Sequence, residues 1–235
     1  MDNYVLLELL EKKIGYKFKD KNLLFTAITH SSYTNDDKNN SGENYERMEF
    51  FGDSILQFSV SEILYKNKDI QTEGKLTKTR AILVCEETLS KCAETLGLSK
   101  YIIMSNGGIY SGGRERPSIL ADVVESIIAA IYLDGGIEQS KLFVSRILKK
   151  YIPLAIRGTL HKDFKSTLQE YIQASSRTKL EYVLSKQDGP VHDRIFEYSL
   201  FLDGIHYGQG VGKTIKEAQQ NAAKEALGKL NVDFS

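Results

Sequence analysis

The 235-residue sequence has no tryptophan, only three prolines and two cysteines, and no net formal charge. Each scarcity excludes something. With 18 glycines and 41% hydrophobic residues, collagen-like and Pro/Gly-rich disordered chains are ruled out. Cys85 and Cys92 lie seven apart in a helical-looking stretch, ~10 Å apart at ~1.5 Å per residue. A disulfide needs its Cα atoms within ~7 Å, so the two do not pair with each other, and a reducing compartment is expected. No apolar run approaches the ~20 residues that span a bilayer; the longest covers residues 126–133. The opening MDNYVLLELLEKK has neither a basic start nor a small-residue cleavage site, so no signal peptide is expected and the cytoplasm is the expected location. Lys+Arg and Asp+Glu both number 31, and the segment from Phe164 onward holds nine of each. A uniformly basic nucleic-acid binder is therefore excluded, and any RNA or DNA contact must come from local patches.

What is present divides in two. Residues 1–151 read as helical. Over 46–65 the apolar positions Phe50, Phe51, Ile55, Phe58 and Ile63 keep helical spacing, and 76–98 looks like one helix ending near Gly97. Pro117 can open a helix that stops at Asp134-Gly135-Gly136, and another is expected over 138–151. Residues 152–163, with Pro153 and Gly158, are expected to be a linker. From 164 to 232 the pattern becomes α-β-β-β-α: a helix over 165–174, a strand over 180–186, and a turn at Asp188-Gly189-Pro190. A period-two strand follows over 194–202, then a tight turn at Asp203-Gly204, a strand over 205–208 and a helix over 214–230. The expected fold is thus an all-α domain followed by a small α+β domain.

The informative residues are carboxylates. Glu46, Glu49 and Asp53 are spaced by three and four, hence on one helix face; Asp122 and Glu125 share a face of ILADVVESIIAAIYLD, apolar nearly all round. Burying an unpaired carboxylate costs several kcal/mol even after relaxation. No arginine lies on the acidic stripes, Arg47 being one position off. One reading is an exposed acidic stripe on an amphipathic helix. The other is that both stripes converge on divalent cations. Hard oxygen donors suit Mg²⁺ or Mn²⁺, whereas His30, His161, His192 and His206 form no zinc-like spacing.

These residues carry a resemblance. ERMEFFGDS (46–54), THSSY (29–33) and GGRERPSILADVVESIIAAIYLDGG (112–136) resemble, in order and spacing, the conserved blocks of the ribonuclease III family. Met48, Phe51 and Ser126 depart from its usual leucines and alanine without altering a carboxylate. The resemblance implies an endoribonuclease that hydrolyses both strands of double-stranded RNA to 5′-phosphate and 3′-hydroxyl ends, in rRNA and mRNA processing. Glu49, Asp53, Asp122 and Glu125 would ligate Mg²⁺, with Mn²⁺ a plausible substitute. Asp53 and Glu125, with Glu46 and Glu73 lining the cleft, would be catalytic. It also implies a homodimer into whose partner subunit Phe50 inserts, although the residue reads equally well as an ordinary core aromatic. The rival reading is a non-cleaving double-stranded RNA-binding regulator or ribosome-associated protein, against which the four intact acids argue.

HYGQGVGKTIKEA (206–218) contains Gly-Lys-Thr but fails the phosphate-loop spacing, because its first glycine would fall on Tyr207; no nucleotide cofactor is expected. The α-β-β-β-α segment instead resembles a double-stranded RNA-binding domain. By that resemblance Ser166, Gln169, Glu170 and Gln173 face one minor groove, while Gly189, Pro190 and His192 enter the next. Lys213, Thr214 and Lys216 then clamp phosphates at the start of the last helix, the two lysines being otherwise ordinary solvated surface residues. A-form RNA displays 2′-hydroxyls in its shallow minor groove, which suits reading by shape. Where the family pattern has lysine, positions 215 and 219 hold isoleucine and glutamine, so modest affinity and salt dependence are expected.

Overall fold

The computed structural model describes residues 3–36, 42–160, 164–175, 179–190 and 194–232. They form two compact units that divide between Leu160 and His161.

The first unit is helical: α1 (Asn3–Ile14), α2 (Lys21–Ala27), α3 (Ser31–Asp36), α4 (Glu46–Tyr65), α5 (Glu73–Leu83), α6 (Glu86–Leu96), α7 (Asn106–Tyr110), α8 (Pro117–Gly135), α9 (Ile137–Leu148) and α10 (Ile152–Ile156). The most apolar helix is the central one. On α8, Ile119, Val123, Val124, Ile127, Ile128 and Ile131 are buried, and the helix packs on α2, α4, α6 and α9. Pro117 opens it, where a missing N–H costs nothing. Ser126, an unusual polar residue here, is fully buried, but its hydroxyl donates to the carbonyls of Ala27 at 2.5 Å and Val123 at 2.9 Å. The hydroxyl thereby ties α8 to the end of α2.

Two expectations need correction. The single helix expected over 76–98 is two, because Cys85 is extended (φ −74°, ψ 157°) and the Thr88 hydroxyl donates to the Ile82 carbonyl at 2.6 Å, ending α5. The expected linker from residue 152 begins as α10, whose Pro153 lies in the first helical turn, a position the ring tolerates. Ala155 and Leu160 are buried in the first unit's core, which leaves no room for a linker before 161. α4 is helical as expected; Ile55, Leu56, Val60 and Leu64 form its buried face, and Phe50, Phe51 and Phe58 lie exposed.

The second unit runs α11 (Phe164–Ser175), β1 (Leu180–Asp188), β2 (Ile195–Leu202), β3 (Ile205–Gly212) and α12 (Ile215–Lys229), with an antiparallel sheet in the order β1-β2-β3. Asp203 and Gly204 both take positive φ (48° and 79°), the conformation a two-residue hairpin needs. β3 runs four residues beyond the expected 205–208. Gly208, Gly210 and Gly212 alternate along it, and a Cβ on any of them would collide with α12 around Ala218 and Ala222. The glycines that suggested a phosphate loop are thus a flat strand surface on which the alanines of α12 pack.

Candidate active site

α4 and α8 bring four carboxylates together. The two helices pack closely because Gly52 has no side chain: a Cβ there would stand 1.9 Å from the Glu125 carbonyl oxygen. This approach sets Glu49 and Asp53, one turn apart on α4, against Asp122 and Glu125 on α8. All four are half-buried. Among the described residues no lysine or arginine pairs with them; Arg47 instead reaches Glu43 at 3.9 Å on the surface.

Crowding shows in their proton affinities. Glu125 is pushed up from 4.5 to about 8, chiefly by burial and then by the charges of Asp53, Glu49 and Asp122. Glu49 is raised by burial, then by Asp122 and Glu46. Asp122 is raised by burial, with the Tyr45 hydroxyl and His30 pulling the other way. Carboxylates crowded together with no lysine or arginine paired to them among the described residues are chemistry that a divalent cation suits. Among the described residues no three His, Cys, Asp or Glu groups close into a cage. A hard divalent ion that keeps part of its water and binds through one or two carboxylates plus substrate phosphate needs none. The donor set fits such an ion.

Supporting residues were not evident from sequence. Tyr45 is buried, its hydroxyl 3.4 Å from Asp122 Oδ2 and its own pKa raised by burial and by the Asp122 and Glu49 charges. His30 meets the Tyr45 ring edge-on at 5.7 Å. Gln57 Nε2 donates to Asp53 Oδ1 at 3.3 Å. THSSY was the only available signal for His30 and no spacing rule singles out Tyr45, whereas Gln57 lies four residues after Asp53, the spacing at which side chains on one helix face meet.

Of the remaining sequence candidates, Glu46 stands at the edge of the cluster, near enough for its charge to act on Glu49, and Glu73 stands apart from it. Glu46, in the first turn of α4, is exposed on the lip of a concavity of about 1000 Å³ that Phe50, Phe51 and Leu133 also line. Glu73 opens α5, exposed, and accepts from Thr77 Oγ1 at 2.8 Å; it makes no hydrogen bond or ion pair with the four. Phe50 is 79% exposed, so within this chain it is not a core aromatic.

In the second unit Ser166, Gln169, Glu170 and Gln173 form one exposed face of α11, opposite buried Phe164, Leu168 and Ile172. Gly189 (φ 93°) and Pro190 are exposed just after β1, while His192 lies outside the described residues. Lys213, Thr214 and Lys216 are exposed at the start of α12. Thr214 is its cap, accepting from the Glu217 amide at 3.1 Å, and Glu217 in turn takes the Lys213 amide at 2.8 Å. Two amides that would otherwise favour a phosphate are already occupied, leaving that contact to side chains.

Comparison with known proteins agrees with both units. Residues 20–151 match the model of the ribonuclease-III-like family, and residues 164–230 that of the double-stranded RNA binding motif. The chain is 43% identical over 227 residues to Ribonuclease 3 of Caldanaerobacter subterraneus subsp. tengcongensis, covering 97% of this chain and 99% of the relative. It is 47% identical over 221 residues to Ribonuclease 3 of Clostridium perfringens, 94% and 92% of the respective chains. Among solved structures, the nuclease domain of ribonuclease III from Campylobacter jejuni, described for flexibility in a region involved in dimer formation, matches with a TM-score of 0.57. It is 43% identical, over 63% of this chain and 99% of that one.

Proposed function

The chain belongs to the ribonuclease III family and is an endoribonuclease of double-stranded RNA, and we propose that it works as a cytoplasmic, Mg²⁺-dependent homodimer cutting both strands to leave 5′-phosphate and 3′-hydroxyl ends. The observation that carries this reading is the convergence of Glu49, Asp53, Asp122 and Glu125 with no neutralising lysine or arginine among the described residues. When bound there, Mg²⁺ supplies the activation of the attacking water and the stabilisation of charge on the leaving 3′ oxygen. The chain's own residues prepare for it. Gln57 orients Asp53, and Tyr45, with the His30 ring packed edge-on against it, orients Asp122. Burial and the neighbouring charges push Glu125 up to about 8, so it would give up its proton on holding a cation. Glu46, at the edge of the cluster, and Glu73, apart from it, are both exposed and would meet the scissile strand.

A second copy fits the outer face of α4. Phe51, Phe58 and Tyr65 recur every seven residues and are exposed, with Phe50 beside them and Leu133 and Leu142 exposed nearby. Isolated proteins rarely leave so many large apolar side chains on one face. In a two-fold dimer the Phe50 of each subunit would enter the concavity beside the other's Phe50. For the second unit, the exposed α11 face, Gly189, Pro190 and His192, and Lys213, Thr214 and Lys216 form the RNA-binding surface of this reading, and groove shape with 2′-hydroxyls is what it would recognise.

The test is a long RNA duplex incubated with the protein in Mg²⁺ and, separately, in EDTA, followed by analysis of the product ends. Short duplexes with 5′-phosphate and 3′-hydroxyl termini, in Mg²⁺ only, are expected. Cleavage in EDTA, or 3′-phosphate ends, would overturn the proposed chemistry.

A further inference from the structure

Between the amino ends of α11 and α12 lies a groove of about 510 Å³ with no carboxylate in its lining. Lys165 and Lys216 both line it, with Ser166, Gln169, Ile215 and Gln219. From Phe164 onward the formal charge is zero, so two ammonium groups here are a local excess of positive charge.

Lys165 follows buried Phe164 at the first turn of α11, a position from which a lysine would ordinarily extend into water. It does not. Its amide donates to Gln220 Oε1 at 3.2 Å, its Nζ donates to Gln219 Oε1 at 2.8 Å, and that Nζ stands 4.8 Å from the centre of the Tyr182 ring. Both partners orient the ammonium and neither neutralises it, since an amide oxygen and a ring face carry no net charge. Among the described residues no carboxylate stands within ion-pair distance of Lys165 Nζ. A lysine already held in one geometry also loses less side-chain freedom on meeting an anion than a mobile one.

We propose that Lys165 is a phosphate-binding residue of the RNA interface, held by Gln219 so that α11 delivers to the groove the positive charge that α12 lacks at position 219. Lys165 and Lys216 would then hold backbone phosphate from two different helices, fixing the position of the duplex without reading its sequence. This inference rests on the reading of the second unit as an RNA-binding domain.

The experiment measures binding of one RNA duplex by the full chain across a salt series in EDTA, which prevents cleavage under the proposed mechanism. Lys165→Gln keeps a donor towards Gln219 and removes the charge. It is expected to weaken binding several-fold at low salt and to make the salt slope shallower by ~0.9, the loss of about one phosphate contact. Lys165→Arg should keep the wild-type slope, and the exchange Lys165→Gln with Gln219→Lys should recover it. A wild-type slope in Lys165→Gln, whatever happens to its melting temperature, overturns the inference while leaving the RNA-binding reading intact. Failure of the exchange to recover the slope overturns the link to position 219. If the wild-type chain itself binds the duplex without salt dependence, the RNA-binding reading falls and the inference with it.

Discussion

Gly52 on α4 lies directly against the backbone carbonyl of Glu125 on α8, the two helices meeting where the site's most strongly perturbed carboxylate begins. A single missing side chain therefore sets the spacing of all four acids: Glu49 and Asp53 flank Gly52 on α4, and Asp122 lies one turn before Glu125 on α8. A Cβ at position 52 would meet backbone rather than a yielding side chain, so the helices themselves would have to separate.

Gly52→Ala is accordingly expected to cost stability despite raising helix propensity. Overpacking of this kind costs about 1–3 kcal/mol, and more where backbone must move. Denaturant unfolding in EDTA measures it, independently of any catalytic role. A change within ~0.5 kcal/mol, as at an ordinary surface site, would mean the helices part easily.

The raised Glu125 value has a consequence for folding. Below about 4.5 the residue is protonated in both states. Above that the unfolded chain releases a proton that the folded chain retains up to about 8, so metal-free stability falls as pH rises through this window. The raised values of Glu49 and Asp122 act in the same direction. Glu125→Gln should therefore raise the melting temperature relative to wild type in EDTA, with a margin that widens between about pH 5 and about pH 8.5. An equal margin at both would show that Glu125 ionises normally in the folded protein.

The two carboxylate helices were legible because their signals are local: spacing by three and four on 46–53, and acids within an unusually apolar run on 117–135. The break at Cys85 was not, since no glycine or proline marks it and a threonine hydroxyl three residues on ends α5. Which side of α4 the aromatics occupy was not legible either. Periodicity shows that Phe50, Phe51 and Phe58 share a helix, but not which side of it the chain covers. Tyr45 and His30 reach Asp122 from sequence separations of 77 and 92, which no motif spacing encodes.

Exposure of that face leads to a prediction about assembly. Phe50→Asp places a charge where the proposed dimer buries an aromatic ring, and it is expected to shift the protein to monomer in sedimentation or light scattering at concentrations where wild type is dimeric. Because Phe50 is exposed in the single chain, the monomer's melting temperature should change little apart from the loss of dimer stabilisation. A Phe50→Asp protein that stays dimeric would place the interface elsewhere.

Ile215, the first residue of α12, is exposed on the same groove as Lys216. Ile215→Lys is expected to tighten duplex RNA binding at low salt and to steepen its decline with salt by a little under one unit, about one added phosphate contact. Preference among duplex sequences should not change, because phosphates carry no sequence information. An unchanged slope would mean that position 215 does not face RNA.

Under the proposed mechanism the half-buried carboxylates on α4 and α8 hold the cation that cleavage needs, and Glu125→Gln alters one of them. The substitution preserves size and removes one charge from the cluster. Cleavage of a long RNA duplex in low Mg²⁺ should fall by at least about a thousandfold, roughly 4 kcal/mol of barrier, while duplex binding in EDTA persists. A Glu125→Gln protein that cuts at near the wild-type rate would contradict the account.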